Sequence, residues 1–283
     1  MRPLSQNHLT LLDTCARKFK YVSFDALSGP STYEQQATTQ WGSQFHLMMQ
    51  QRALGLPVEV MAGANSAMSE SLTALAKAAP EVFKHLPVSV SAGTHDAFSQ
   101  SEHRRTLAFN GYLLTVIYDL VVTSARKGAG EDIREGQIFD WKTHQRSPQK
   151  EQLQRHWQTR LYLYVLCDTT DLRPEQLSMT YWFVRSGAEP SFHRFGYSKA
   201  QHQQTQQDLQ QLTDRLTQMS EQVDSEAAFP KVAIEKGLCD RCLFNVRCDR
   251  AIQSSTAASA NDPYQMLRAA SQLTADSVEE VSL

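Results

Sequence analysis

A β-hairpin signal limits the possible folds of this chain more than any other feature. Asn110-Gly111 separates RTLAF (105–109) from the apolar run YLLTVIYDLVV (112–122). Asn-Gly suits the positive φ angles of a two-residue hairpin turn, and the flanking runs are rich in β-branched and aromatic residues. The sequence therefore predicts an antiparallel strand pair whose second strand carries Asp119 inside an apolar run.

Helical and strand patterns follow one another along the rest of the chain. Helical spacing is present at 5–19, 33–53, 66–86, 148–168 and 199–224, and strand patterns occur at 88–92, 137–143, 179–185 and 191–197. This order predicts one α/β domain, residues 1–250, in which helices flank a mixed central sheet. Residues 251–283 are rich in Ser and Ala and contain four acids and one base, which predicts a mobile acidic tail.

Composition and charge exclude some broad classes of protein. The chain has 283 residues, 41% hydrophobic and 20% charged, with a net charge of −2. Its start has no apolar signal segment and its longest apolar run is too short to span a bilayer, so a cytoplasmic protein without membrane contact is expected. The net charge argues against a protein that simply coats nucleic acid. Residues 142–160 contain five bases and one acid, and this segment is either a phosphate-binding patch or a solvated helix face.

Asp140 and Lys142 stand two residues apart in the strand QIFDWKT. Side chains at i and i+2 point to the same face of a strand, while Asp119 needs a partner if its run is buried. Two carboxylates brought together repel each other, and a divalent cation relieves that repulsion. With Lys142 beside them, the pattern fits metal-assisted hydrolysis of a phosphodiester. The alternative is that Asp119 caps the hairpin and Asp140–Lys142 is a surface ion pair.

Three of the five cysteines form a C-x2-C-x5-C motif, namely Cys239, Cys242 and Cys248. Thiolates at such spacing bind one metal centre from a tight turn, and a fourth ligand is needed to close the site. Cys15, at a polar helix end, is the candidate, whereas Cys167 is expected to be a core thiol. Four thiolates fit either zinc or an iron–sulfur cluster. Unliganded cysteines are the remaining alternative.

Six short motifs occur in a fixed order between residues 4 and 250. They are LSQNHLTLLDTCARKFKY (4–21), WGSQFH (41–46), YDLVV around Asp119, IFDWKT around Asp140, QTRLYLY (158–164) and the closing cysteine motif. Together they resemble the PD-(D/E)XK nuclease superfamily, in particular its RecB-like branch. That branch includes the nuclease domains of RecB and AddB and the CRISPR-associated RecB-like exonucleases. The sequence departs from the branch at Val116 and Ile117, where relatives usually carry glycine and often arginine, and it lacks the proline common after Cys15.

The resemblance implies a role for each matching residue. It makes His46, Asp119 and Asp140, with the Trp141 backbone carbonyl, ligands of Mg²⁺ or Mn²⁺, and Lys142 the catalytic lysine. Gln158 and Tyr162 would position the site or contact the nucleic-acid backbone, and Glu102 lies where some relatives have an acidic residue. The cysteine ligands of a 4Fe–4S cluster, with zinc as the lesser alternative, would be Cys15, Cys239, Cys242 and Cys248.

The fold implied by the resemblance is a restriction-endonuclease-like mixed sheet whose termini are clasped by the four-cysteine site. The implied function is a DNA exonuclease, acting on single strands or DNA ends in repair, recombination or CRISPR adaptation. A helicase partner would be a separate protein, since the chain has no G-x4-GK[ST] phosphate loop. The alternatives are a nuclease-like module that binds DNA or a partner without cutting it, and a zinc-clasped structural protein.

Overall fold

A mixed sheet forms the centre of the computed structural model, which describes residues 1–30, 32–58, 66–83, 97–127, 132–144, 147–185 and 189–250. Its six strands are β1 (Arg2–Leu4), β2 (Ala97–Phe109), β3 (Tyr112–Lys127), β4 (Asp132–Lys142), β5 (Leu177–Phe183) and β6 (Ser191–Gly196). The strand order is β1-β3-β4-β5-β6, and β2 pairs with β3 as well. The predicted mixed α/β architecture is therefore confirmed.

Helices cover both faces of the sheet. They are α1 (Gln6–Thr14), α2 (Ala16–Ser23), α3 (Tyr33–Ala53), α4 (Ser66–Ala78), α5 (Pro80–Phe83), α6 (Lys150–Arg155), α7 (Trp157–Asp168) and α8 (Lys199–Ser220). The larger apolar core lies between one sheet face and α1, α2, α7 and α8. A second core lies between the opposite face and α3, α4 and α5. Side chains from two separate layers can therefore reach the same edge of a strand.

The β2–β3 hairpin forms where Asn110-Gly111 predicts it. Asn110 has a φ of 46° and Gly111 a φ of 82°, as a tight hairpin turn requires. The pairing runs from Phe109↔Tyr112 to Ala97↔Ser124, which is the far end of β2 and lies three residues before the end of β3. Both strands are longer than the sequence pattern predicts, because pairing continues beyond the purely apolar residues.

β3 shares its second edge between two partners. β1 pairs with its beginning, through Leu4↔Leu114, and β4 pairs with its end, from Leu120↔Phe139 onward. In these two ladders, residues 115–119 of β3 have no strand partner on that edge. β3 and β4 therefore diverge immediately before Leu120 on β3 and immediately after Phe139 on β4, and we call the space between them the strand gap.

The side chains of β3 switch from one core to the other at the strand gap. Leu114, Val116 and Tyr118 pack in the larger core, whereas Leu120 and Val122 pack in the second core. Strict alternation would place all five side chains on one face, so the strand changes face between Tyr118 and Leu120. Val116 is 1% exposed, so its side chain fills the core and does not project towards solvent.

Local breaks distinguish the structure from the sequence pattern. The helix expected at 5–19 is two helices, because Cys15 adopts an extended conformation (φ −160°, ψ 110°) between α1 and α2. The helix expected from Pro148 is likewise interrupted at His156 (φ −65°, ψ 143°). β4 begins at Asp132, before the strand pattern at 137–143, and the residues of β1 have no apolar periodicity that would predict a strand. The strand expected at 88–92 and the tail at 251–283 lie outside the described residues.

The glutamine-rich segment near the C-terminus is a regular helix with one buried stripe, as predicted. α8 buries Leu209, Leu212, Leu216 and Met219 against the larger core. Ser198 caps its first turn by accepting a hydrogen bond from the Gln201 backbone N–H at 3.3 Å. The glutamines occupy the outer face, where they cost no desolvation.

Arg17 ties the N-terminal helices to the segment after α8. Its guanidinium donates to the Phe229 carbonyl oxygen at 2.9 Å and to the Glu226 carboxylate at 2.7 Å, and it also contacts the Glu226 carbonyl. The Arg17 side chain is 7% exposed. Residues more than 200 positions apart are thus joined by a buried, charge-assisted network.

We predict that Arg17→Ala lowers the free energy of unfolding by about 2–4 kcal/mol, because it leaves buried carbonyl oxygens without a donor. The matched control is Lys18→Ala, one residue further along α2, with an expected change within about 0.5 kcal/mol. Urea denaturation followed by circular dichroism measures both. Equal midpoints for the two variants would contradict the assigned role of Arg17.

Candidate active site

Asp119 lies at the mouth of the strand gap and connects its two sides. Its Oδ2 accepts a hydrogen bond from the Trp141 backbone N–H at 2.7 Å, and its backbone carbonyl accepts one from Ser101 Oγ at 2.7 Å. The carboxylate thus satisfies an N–H on β4 that the divergence from β3 leaves without a strand partner. This bond fixes Asp119 beside the chain segment that carries Asp140 and Lys142.

Asp140 and Lys142 project from β4 towards the larger core, on the side facing α7. Lys142 Nζ lies 2.8 Å from Asp140 Oδ1, and Gln158 Nε2 donates to Asp140 Oδ2 at 2.6 Å. Their side chains are only 4% and 11% exposed, which does not fit a surface ion pair. Gln158 reaches them because α7 starts beneath this end of β4.

His46 enters from the opposite layer, on α3. Its Nε2 is 3.0 Å from the Trp141 carbonyl oxygen, and its Nδ1 is 3.3 Å from Asp119 Oδ1. Phe45, Met48 and Met49 anchor α3 in the second core. The ring therefore stands between a carboxylate and a backbone carbonyl, both of which are oxygen donors for a cation.

Glu102 completes this group from β2. Its Oε1 is 4.0 Å from His46 Nδ1, and ligand atoms of Glu102, His46 and Asp119 all lie within 4.8 Å of one another. The backbone φ of Glu102 is 50°, which is unusual outside glycine and is retained mostly at functional or turn positions. Its neighbours pair regularly with β3, through Ser101↔Leu120 and His103↔Tyr118, so both strands change face at the Glu102–Asp119 level.

Negative charge is concentrated around Glu102. Burial raises the pKa of its carboxyl to about 7, and the Asp119 carboxylate, and more weakly Asp140, add to this shift against the opposing effect of His46. A carboxylate held among other carboxylates favours a cation in their midst. Only the family resemblance singled out Glu102 in advance, because a positive φ and a change of face leave no periodic signal.

Tyr162 forms part of the floor beneath the two aspartates. Its ring packs edge-on against Tyr118, with centroids 5.3 Å apart, and its backbone carbonyl accepts a bond from Tyr118 Oη at 3.0 Å. Burial, followed by the charges of Asp140 and Asp119, raises the pKa of the Tyr162 phenol well above its usual value. At 2% exposure, Tyr162 supports the site from below and does not reach solvent.

His156 is a residue near the site that the sequence did not single out. It caps α7, since its Nδ1 accepts the Gln158 backbone N–H at 3.2 Å. Burial and the nearby positive charge of Lys142 lower the pKa of its ring. A neutral imidazole thus begins the helix that presents Gln158 to Asp140.

The basic segment 142–160 is not a continuous positive surface. Lys142 is paired with Asp140 inside the site, and Arg160 contacts Asp208 and lies over the Trp157 ring at 4.4 Å. Lys150 and Arg155 are exposed on α6, and Arg146 lies outside the described residues. Among the described residues of this segment, Lys150 and Arg155 are therefore the two exposed bases that a phosphate-binding patch could use.

The cysteine motif packs on the N-terminal helices. Phe244 contacts the Tyr21 ring edge-on at 5.3 Å, and Arg250 Nη1 lies 3.4 Å from Cys239 Sγ. Burial raises the pKa of the Cys248 thiol, against the opposing effects of Lys231 and a hydrogen bond from Tyr21. Among the described residues, no three of the four predicted cysteine ligands bring their sulfurs within 4.8 Å of one another. The structure therefore does not show the predicted four-cysteine site assembled.

A family model for the PD-(D/E)XK nuclease superfamily matches residues 3–249. The match includes all the strands and helices described above except for Arg2, the first residue of β1. The chain belongs to the PD-(D/E)XK nuclease superfamily. Its mixed sheet with helices on both faces agrees with that membership, and a nuclease hydrolase is the corresponding class of enzyme.

Comparison with individual proteins adds little to the family assignment. A crystal structure from Eubacterium rectale, of a protein provisionally described as an exonuclease, aligns with a TM-score of 0.48 at 12% identity, over 87% of this chain and 88% of that one. No match was found among curated proteins. No helix within the described ranges has the length and apolar character to cross a membrane.

The site's donor set fits the Mg²⁺ or Mn²⁺ typical of this superfamily. Ligand atoms of His46, Glu102 and Asp119 lie within 4.8 Å of one another, and the Trp141 carbonyl oxygen is 3.0 Å from His46 Nε2; hard divalent cations prefer oxygen donors such as these carboxylates and this carbonyl. Among the described residues, Asp140 is outside this close group and is connected to it through Trp141, whose backbone N–H binds Asp119. Burial first, and then the Asp119 carboxylate, raise the pKa of Glu102, and a cation beside it would favour the ionised carboxylate.

We predict that Glu102→Gln removes part of the protein's loss of stability at high pH in EDTA. The folded carboxyl keeps its proton to a pH of about 7, whereas an unfolded one loses it near 4.5. The folded state therefore binds more protons between these values, and the free energy of unfolding falls as the pH rises through them.

The expected difference between parent and Glu102→Gln, allowing for the partial exposure of the side chain, is about 1–2 kcal/mol at pH 8 and near zero at pH 4.5. Urea denaturation at both pH values measures it, with the exposed Glu151→Gln on α6 as the control. Parallel pH curves for the parent and Glu102→Gln would show that Glu102 is not repelled by its neighbours.

Proposed function

We propose that this chain is a metal-dependent deoxyribonuclease that hydrolyses phosphodiester bonds at the strand gap. The supporting observation is the convergence of Asp119, Asp140 and Lys142, three buried charged side chains, at the point where β3 and β4 separate. Burying charge is costly unless the charges are paired or functional. The superfamily match supplies the class of reaction.

In this proposal the residues of the strand gap divide into two groups. His46, Asp119, Asp140 and the Trp141 carbonyl, with Glu102 beside them, hold a divalent cation. That cation supplies Lewis-acid stabilisation of the phosphate and lowers the pKa of its bound water. Lys142 orients the attacking water and stabilises the negative charge that develops on the phosphorus oxygens.

Gln158 and Tyr162 act through Asp140 in this scheme. The bond from Gln158 Nε2 leaves Asp140 Oδ2 fixed, and the phenol of Tyr162 lies beneath both aspartates. Such positioning groups keep ligands in one orientation and so preserve the spacing that catalysis requires. Both residues are supplied by α7, which makes that helix the support of the site.

The nuclease assay uses radiolabelled DNA with Mg²⁺ or Mn²⁺ and compares the parent with Asp140→Ala and Lys142→Ala. We expect each variant to lose at least about 10²-fold in rate, because each removes a group that acts on the developing charge. Lys77→Ala, an exposed lysine on α4, is the matched control and should retain the parental rate. Undiminished cutting by Lys142→Ala would overturn the proposed mechanism.

The assay also tests the competing interpretation. If the parent binds DNA but does not cut it with either cation, the chain is a nuclease-like binding module. Linear single strands, blunt duplexes and closed circles are compared in the same experiment. We propose single strands or DNA ends as the substrate, with a separate helicase or a repair or CRISPR protein as partner, on the resemblance to the RecB-like branch.

We also propose that Cys15, Cys239, Cys242 and Cys248 bind a 4Fe–4S cluster that clasps residues 1–250 into one domain. The donor set supports this: the thiol segment packs on α2, and Arg250, Lys231 and Tyr21 surround it with positive charge or hydrogen-bond donors. Such groups stabilise thiolates. A cluster of four irons also separates its ligands more widely than one zinc ion does.

We predict that the anaerobically purified protein contains iron and sulfide and shows the broad visible absorbance of a cysteine-bound cluster. Cys242→Ser should lose the iron, while Cys167→Ser, a thiol outside the motif, should keep it. Stoichiometric zinc in place of iron, or no metal in either protein, would contradict the cluster.

A further inference from the structure

A second group of metal-ligating side chains lies at the far end of α7. Cys167 and Asp168 end this helix, and His202 lies in the first turns of α8; their ligand atoms are all within 4.8 Å of one another. At 1.5 Å per residue, the group is about 15 Å along α7 from Gln158. It therefore belongs neither to the strand gap nor to the C-x2-C-x5-C motif.

The His202 ring is held in one orientation by its surroundings. It stacks on Tyr164 with centroids 4.7 Å apart and an interplanar angle of 19°. Its Nδ1 lies 3.2 Å from Tyr197 Oη, and its Nε2 faces Asp168 Oδ1 at 3.2 Å. A histidine ligand is commonly fixed by a hydrogen bond at one ring nitrogen, which leaves the other for the metal.

The Cys167 side chain is held in place at the end of α7. Its thiol donates a hydrogen bond to the Leu172 carbonyl oxygen, with Sγ at 3.5 Å. Glu175 lies in the turn just before β5, and its Oε1 accepts the Lys199 backbone N–H at the start of α8 at 3.0 Å. Cys167 itself is a half-buried residue at the edge of the core.

We propose that Cys167, Asp168 and His202 bind one zinc ion, with water or Glu175 in the fourth position. Sulfur, imidazole and carboxylate donors together suit zinc and disfavour Mg²⁺, which takes oxygen ligands. On binding, the Cys167 thiol releases its proton to solvent and the sulfur donates a lone pair to the ion. The ion joins the end of α7 to the start of α8 and so stiffens the helix that supports the hydrolytic site.

The test is equilibrium dialysis of the full chain against micromolar zinc chloride, followed by metal analysis. Cys167→Ser and His202→Gln should each bind one zinc ion per chain fewer than the parent. The double variant should also bind only one ion fewer than the parent, because both residues hold the same ion. His193→Gln, a histidine on β6 outside both sites, is the control and should match the parent. Zinc held elsewhere in the chain contributes equally to all of these proteins.

Thermal unfolding provides an independent readout. Zinc should raise the melting temperature of the parent by several degrees. Mg²⁺ at the same concentration should not produce the part of this increase that depends on Cys167, and the increase with zinc should be smaller in Cys167→Ser. Zinc contents that are equal in the parent, Cys167→Ser and His202→Gln, with all three folded by circular dichroism, would overturn the proposal. The zinc contents are also compared in proteins that carry Asp140→Ala, which is expected to abolish nuclease activity. The same loss of one zinc ion in that background would show that the zinc site does not depend on the proposed nuclease activity.

Discussion

The hydrogen bond from the Trp141 N–H to the Asp119 carboxylate is the interaction on which the site depends. Where β3 and β4 diverge, Trp141 loses a strand partner, and an unsatisfied buried N–H would cost about 1–3 kcal/mol. Asp119 supplies the missing acceptor at 2.7 Å. The same bond brings its carboxylate next to the backbone that carries Asp140, so stability and site assembly share one contact.

The position of the sheet between two cores explains how the remaining groups reach the strand gap. α3 is anchored in the second core and delivers His46 from one face. α7 is buried in the larger core and delivers Gln158 from the other. A gap within a paired sheet is accessible to both layers, whereas an intact ladder would separate them.

The cost of this arrangement is repulsion among carboxylates. Glu102 adopts an unfavourable backbone angle and a raised pKa beside Asp119, and neither feature benefits a metal-free fold. Strain and like charge at one point are common at sites that bind a cation or a reacting group. Because the chain belongs to a nuclease superfamily, the strain and repulsion at Glu102 are consistent with a functional site.

Features that depend only on residues close together in the chain were predictable from the amino-acid sequence. Asn110-Gly111 set the hairpin, period-two spacing put Asp140 and Lys142 on one side of β4, and helical spacing defined the buried stripe of α8, because each signal spans only a few residues. It could not reveal β1, which is held by pairing with a strand more than a hundred residues away.

How these local features come into contact depends on packing between elements that are distant in the chain. Packing against distant elements causes the helix breaks at Cys15 and His156 and the change of face at Glu102. The local hydrophobic periodicity continues through these positions and therefore does not predict them. The meeting of Cys167 with His202 arises in the same way, from the docking of α8 on α7. Side chains can be assigned to faces from spacing, but which faces meet is fixed by the burial of apolar surface across the whole chain.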